Sequence, residues 1–364
     1  MVRVLSDTMA VSVVTAAVRR NAGSGGSRTL TRMGVEAIDP FDDEQLRAAH
    51  DVTVADATAR PYSFPWTWME YRVAAQTPDR WATLHILLAR DDDGTPVAVA
   101  ETWMPQRDNT TMVWTEVSIL PGRECAPVVA GLFDALADLV RSHGRSVIHT
   151  TATADIGGRT SPKQEALEAA GCTFVMAEAH RVLDLPFDGT LMQSLADEAA
   201  AHHRAYRLMS WRGPCPEAWI DGYADLRSRI LVEAPDGGVG FEAEDYDAER
   251  IRHEEAELEA QQRIMQTTIA VHDDGALAGH SQLVVPETDP TNAFQWDTLV
   301  LADHRGHRLG LALKARNLLE AADAFDGRTL LHTWNAEGNT PMINVNERIG
   351  YRLVDCSNQL RWTL

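Results

Sequence analysis

The run Asp303-His304-Arg305-Gly306-His307-Arg308-Leu309-Gly310-Leu311-Ala312-Leu313-Lys314 follows an apolar segment, Asp297 to Leu301, and opens an apolar-periodic stretch. The order predicts a buried strand, a tight turn and an amphipathic helix. The first turn of a helix carries unpaired N–H donors and about half a positive charge, so the point at which this turn aims suits an anion, above all a pyrophosphate. Gly306 and Gly310 let the backbone approach such a ligand, and Arg305 and Arg308 add charge beside it. The candidate phosphate element is therefore Arg305, Gly306, His307, Arg308, Leu309, Gly310 and Leu311.

Further on come Thr333-Trp334-Asn335-Ala336-Glu337-Gly338-Asn339-Thr340-Pro341-Met342 and then Ile343-Asn344-Val345-Asn346-Glu347-Arg348-Ile349-Gly350-Tyr351. With these two elements in order, the chain resembles the GNAT superfamily of acyl-CoA-dependent N-acyltransferases. That family's pyrophosphate turn reads Gln/Arg-x-x-Gly-x-Gly/Ala and is followed by an Asn…Ala…Tyr…Gly-Phe/Tyr segment. Arg305, Arg308 and Gly310 fall on the first pattern, and Asn339, Asn346, Gly350 and Tyr351 on the second. Two positions depart from it. Arg308 stands where the family usually has a first glycine, and Asn346 stands where many members place a tyrosine that protonates the leaving thiolate.

The resemblance implies transfer of an acyl group, most simply acetyl from acetyl-CoA as co-substrate, to a small-molecule amine by direct attack in a ternary complex, without a metal. Strand residues Leu299, Val300 and Leu301 would align the pantetheine and the thioester carbonyl through their backbone. Asp297 is the first candidate for the base, and His332, just before Trp334-Asn335, is a second possible relay. Asn335, Asn339 and Asn346 are read as cofactor-binding groups, because an amide orients a ligand without changing protonation. Asn339 also suits the cap of a helix starting at Thr340-Pro341. Lys314 and Arg316 read as decoration of an exposed helix face, with a contact to the adenosine phosphate as the alternative.

The elements that must position these residues are predicted twice. The chain has 364 residues, 45% of them apolar, enough for two domains. Thr267 to His280 reads as a hairpin around Asp274-Gly275, and Leu84 to Glu101 answers it around Asp93-Gly94. Val113 to Leu120, Pro121-Gly122-Arg123 and a helix over Pro127 to Val140 repeat the strand, turn and helix of the phosphate element with its chemistry eroded. Pro162 precedes Gly171 by the spacing with which Pro341 precedes Gly350. The expected fold class is α/β: two tandem GNAT-like domains, each a mixed, mostly antiparallel central sheet flanked by helices. Residues 1–34 form a disordered extension in this reading, 35–188 a degenerate first domain and 189–364 the domain with the acyl-CoA site, with the linker near Leu185 to Gly189.

The net charge of −20 opposes nucleic acid and anionic membranes as partners and favours a cationic amine. No apolar run is long enough to span a bilayer. Cys125, Cys172, Cys215 and Cys356 are widely spaced, which points to a reducing, cytoplasmic setting and no structural zinc. His202 and His203 read as a solvated pair at a helix start, and Glu244 to Glu259 as a solvated acidic helix. The aromatic Arg60 to Trp68 and the glycine-rich Ala234 to Glu242 are candidate lids or core closures. Monomer and homodimer are both open. So are two other functions on the same fold: transfer from an aminoacyl-tRNA or carrier-protein thioester, and acyl-CoA sensing without turnover.

Overall fold

In the computed structural model, residues 34–156, 160–233, 238 and 240–364 are described. The expected N-terminal extension lies outside them, except for Gly34, which opens the first strand, and so do residues 234–237 and 239 of the glycine-rich segment. Along the chain come β1 (Gly34–Ala37), α1 (Asp43–Thr58), α2 (Trp68–Gln76), β2 (Ala82–Arg90), β3 (Pro96–Pro105), β4 (Met112–Ile119), α3 (Cys125–Ser142), β5 (Val147–Asp155), α4 (Pro162–Ala169) and β6 (Thr173–Asp184). They are followed by α5 (Gly189–Ala200), β7 (Tyr206–Arg212), α6 (Ile220–Ser228), α7 (Ile230–Glu233), α8 (Ala248–Ala260), β8 (Arg263–His272), β9 (Leu277–Pro286), β10 (Asn292–Val300), α9 (Leu309–Glu320), β11 (Leu330–Ala336), α10 (Thr340–Ile349) and β12 (Arg352–Thr363).

Strands β2, β3, β8 and β9 are buried along nearly their whole length, as strands covered on both faces must be. In the first half, α3 packs Val129, Leu132, Phe133 and Leu136 on one face of the sheet, while Leu46 and Ala49 of α1 and Tyr71 of α2 cover the other. In the second half, α5 and α9 lie on one face and α6 and α8 on the other. Burial of each such Leu or Phe contributes about 1.5–3 kcal/mol. Local chemistry sets the helix starts: Thr67 and Glu70 form a capping box on α2, Asp188 caps α5 and Asn339 caps α10.

All the strands join one twelve-stranded sheet in the order β1-β2-β3-β4-β5-β12-β6-β11-β10-β9-β8-β7. Among the described residues β4–β5 and β10–β11 pair in parallel and the other pairs are antiparallel. The α/β class and the mixed, mostly antiparallel sheet are as the sequence predicts. The last strands of the halves are exchanged, which the sequence did not reveal: β6 pairs with β11, and the C-terminal β12 pairs with β5. Each half is therefore completed by a strand from the other.

Two readings are corrected. The acidic helix α8 is a docking element, because Arg250, Glu254 and Glu257 on it are buried. Arg250 pairs with Glu244 at 2.9 Å and reaches Asp108 of the first half at 3.2 Å. Arg263 pairs with Glu70 at 2.8 Å across the same boundary. Charges that looked solvated by their spacing are thus matched by charges far away in sequence. His203 is buried in the turn after α5, whereas His202 is exposed; the pair ends a helix and does not start one. Among the described residues no helix is long and apolar enough to cross a membrane.

Removing one partner of a buried ion pair leaves the others charged without compensation. Arg250→Ala should cost about 3–5 kcal/mol in chemical denaturation, with both halves losing structure in one transition. A loss under about 1 kcal/mol would show that α8 does not hold the halves together.

Candidate active site

Strand β10 pairs with β11 only from Asn292 to Phe294, opposite Leu330 to His332, and then diverges. On its other edge the pairing with β9 shifts register between Gln295 and Thr298 and resumes to Val300. Gly279 is needed opposite Val300, where the ladder has resumed, since a side chain there would strike the Leu299 carbonyl. Leu301 N–H donates to Ala278 O at 2.9 Å, so strand alternation turns the N–H groups of Thr298 and Val300 toward the open side.

The divergence leaves an open cleft lined by Gln295 to Leu299, by Thr333 to Ala336, by Asn339 and Met342, and by Lys314, Ile230 and Glu178. Asp297 lies mid-strand at the register shift and not at the strand start expected from sequence. It is half-buried in the cleft wall, and burial raises its carboxyl pKa, opposed by the charge of Arg227. Glu178 comes from the exchanged β6 and accepts a hydrogen bond from Gln359 Nε2 at 2.7 Å.

At the mouth, β10 runs through a short 3₁₀ turn into the candidate phosphate element. Gly306 has φ +87° and Arg308, the N-cap of α9, is left-handed at φ +55°. Arg308 thus adopts at some cost a left-handed backbone shape that favours glycine. Among the described residues, no backbone or side-chain acceptor meets the N–H groups of Gly306, His307, Arg308, Leu309, Gly310 or Leu311, apart from the helix's own later turns. An added Cβ at Gly306 or Gly310 would meet nothing within 4 Å, so a pyrophosphate has room against the backbone. Arg305 is held by Glu233 Oε2 at 2.7 Å and by Val300 O at 3.1 Å. Arg308 and Arg348 share Glu198. Exposed pairs of this kind are worth at most about 1 kcal/mol, so a phosphate can take the arginines over.

Asn339 caps α10 by accepting Met342 N–H at 3.3 Å and also lines the cleft. Asn346 is fully buried behind it: its Nδ2 donates to Asn335 Oδ1 at 2.8 Å, and its Oδ1 accepts from Lys314 Nζ at 2.5 Å. Asn346 therefore orders the cleft floor and is not itself on the open side. His332 does not line the cleft. It is buried in a chain that runs from Asn292 Oδ1 at 2.8 Å through His332 to His180 at 2.9 Å and on to Asp355 at 3.0 Å. Phe64 from the Arg60 to Trp68 stretch packs on this chain at 4.8 Å from the His332 ring, so the stretch closes the core between the halves.

Lys314 is the largest departure from the sequence reading: it is 1% exposed, with its stem inside the helix-packing face. Burial lowers its ammonium pKa to about 7. Arg316, by contrast, is exposed and pairs with Glu320. Sequence reasoning also missed Glu178, Arg348 and Gln295. The signal for Lys314 was present, because it shares the stripe of Leu311, Ala315 and Leu318 at helical spacing; none existed for Glu178, which arrives by strand exchange.

The first half has the same divergence. β4 pairs with β5 from Met112 to Thr115, and a cleft follows. Here Lys163 Nζ donates to Val117 O inside the gap, and Thr151 holds Glu116 at 2.9 Å. The following turn keeps Gly122 at φ +87°, but Glu124 occupies the N-cap of α3 and Arg123 is drawn to Asp91 at 2.7 Å. A carboxylate at that helix N-terminus opposes a phosphate.

No protein-family model and no curated protein matches the chain by sequence. Solved structures match over most of its length. A tandem GNAT protein from the clavulanic acid biosynthesis pathway is 25% identical, with TM-score 0.74, covering 91% of this chain and 98% of its own. A GCN5-related N-acetyltransferase from Sphaerobacter thermophilus aligns at 13% identity and TM-score 0.60 over 91% of this chain and 96% of its own. Saccharomyces cerevisiae N-myristoyltransferase, solved with myristoyl-CoA, shares the fold at 11% identity and TM-score 0.56 over 98% and 88%. Over 91% of its length the chain therefore has the fold of a tandem GNAT protein.

Proposed function

We propose that this chain is an acetyl-CoA-dependent N-acyltransferase acting on a small-molecule amine, with its site in the cleft between β10 and β11. The observation that carries the reading is the contrast between the two clefts. The C-terminal one ends in a turn whose N–H donors meet no acceptor among the described residues, with arginines beside it, whereas its N-terminal counterpart is crossed by Lys163 and carries the Glu124 carboxylate at the helix N-terminus. The first half then serves as scaffold and supplies Glu178 to the wall.

In this reading the N–H groups of residues 306–311 hold the pyrophosphate, with Arg305, Arg308 and Arg348 turning onto it from their carboxylates. The open edge of β10 at Thr298 and Val300 aligns the pantetheine as an added strand aligns on a sheet edge. Fixing thioester and amine side by side supplies much of the rate. Asp297 and Glu178 make the cleft wall acidic and draw in a protonated amine, which gives up one proton to solvent before it can attack. Asp297 takes the proton that the amine loses on attack.

Gly310→Glu puts a carboxylate among the phosphate-binding N–H groups and should weaken acetyl-CoA binding by at least about 100-fold in calorimetric titration, with an unchanged melting transition. Unchanged affinity would sink the assignment of the turn. Asp297 is a base only when ionised, and its pKa is raised, so the rate should climb with pH through a point above the usual carboxylate range. With an amine acceptor found by screening, Asp297→Asn should lower kcat about 100-fold or more and abolish that limb; a retained limb would assign the base elsewhere. Acetyl-CoA binding without turnover of any amine would favour a sensor.

A further inference from the structure

Resting on the acyl-CoA reading of this cleft, we infer that Lys314 is the general acid that protonates the departing CoA thiolate, in place of the tyrosine that Asn346 replaces. The case is geometric. Lys314 reaches from α9 to the floor of the cleft between the diverging strands, where the thioester sulfur must lie if the pantetheine follows β10. Its ammonium has three N–H donors, and Asn346 Oδ1 is the only acceptor it meets among the described residues. No carboxylate among those residues lies within ion-pair distance of it, although the cleft contains two, Glu178 and Asp297. A buried ammonium with spare donors and no counter-ion is costly unless the cleft delivers an anion. A thiolate formed at the floor is such an anion.

Asn346 fixes the direction. Its amide donates to Asn335 and so must turn its oxygen toward Lys314. The amide that replaces tyrosine cannot give a proton, but it aims the group that can. Tyr351 stands behind the ammonium, with its ring 5.3 Å from Nζ, and does not line the cleft. Of the titratable groups on the cleft wall, Glu178 and Asp297 are carboxylates, and Lys314 alone can deliver a proton and be left neutral. Burial already brings its ammonium close to neutrality, at about 7, which matches a proton donor working near that pH.

The step balances. The neutral amine attacks the thioester carbon, the C–N bond forms and the C–S bond breaks, and the sulfur takes the electron pair and the proton from Nζ. The proton released by the attacking nitrogen goes to Asp297 and returns to Lys314 through solvent after the products leave.

By reversibility, the same lysine withdraws the proton from bound CoA, so the thiol can be titrated without knowing the amine. Thiolate absorbance of CoA bound to the wild-type protein should appear about 1–3 pH units below that of free CoA. Lys314→Met, nearly isosteric, should bring it back to or above the free value while CoA still binds. Bound CoA in the wild type that titrates like free CoA would overturn the assignment, and so would a Lys314→Met variant with an unshifted thiolate. The wild-type measurement decides even if that variant does not fold. Calorimetry with CoA separates the two levels: no binding removes the acyl-CoA reading and this proposal with it, whereas binding with an unperturbed thiol removes only the role of Lys314.

Discussion

Strand β10 does not hydrogen-bond to β11 beyond Phe294, and that missing ladder opens the cleft around which the second half of the molecule is arranged. The bend is built in by the register shift at Trp296 and Asp297, and Gly279 allows the close approach to Leu299 where the ladder resumes. Backbone donors and acceptors left at such an edge require partners from water or a ligand. The same strand then delivers the chain into a turn whose N–H groups point outward from α9. An extended edge ending at a helix N-terminus matches a ligand with an amide-bearing arm and a pyrophosphate. Everything chemical in the cleft is arranged along that line.

The exchange of β6 and β12 makes the two halves one structure. Each contributes a strand to the other's sheet, and each cleft contains a residue from the strand that crossed: Glu178 in the C-terminal cleft and Ser357 in the N-terminal one. Buried ion pairs from α8 and β8 to Asp108 and Glu70 add specificity to the same boundary. The first half in this way supplies Glu178 of β6 to the wall of the second cleft.

Much of this was legible in residue order. The hairpins around Gly94 and Gly275, the turn from Arg305 to Gly310 and the cap at Asn339 are local features whose turn chemistry and periodicity act over a few residues, and the structure shows them where the sequence places them. What stayed hidden depends on partners distant in sequence. Glu178 reaches the cleft only through strand exchange, and α8 looks solvated until Asp108 is brought against Arg250. Lys314 was misread because a lysine suggests a surface, although its helical register with Leu311 and Leu318 placed it inside. Asp297 was singled out from sequence, but its place at a mid-strand bend depends on pairing with β9 that no local pattern encodes.

The central claim is that the free N–H groups of the second half, and not those of the first, receive the cofactor. Amide hydrogen exchange followed residue by residue, with and without saturating acetyl-CoA, tests it directly. The account predicts slowed exchange at residues 306–311 and at Thr298 and Val300, with Gly122 to Cys125 unchanged. Protection at the N-terminal turn, or none at residues 306–311, would contradict it.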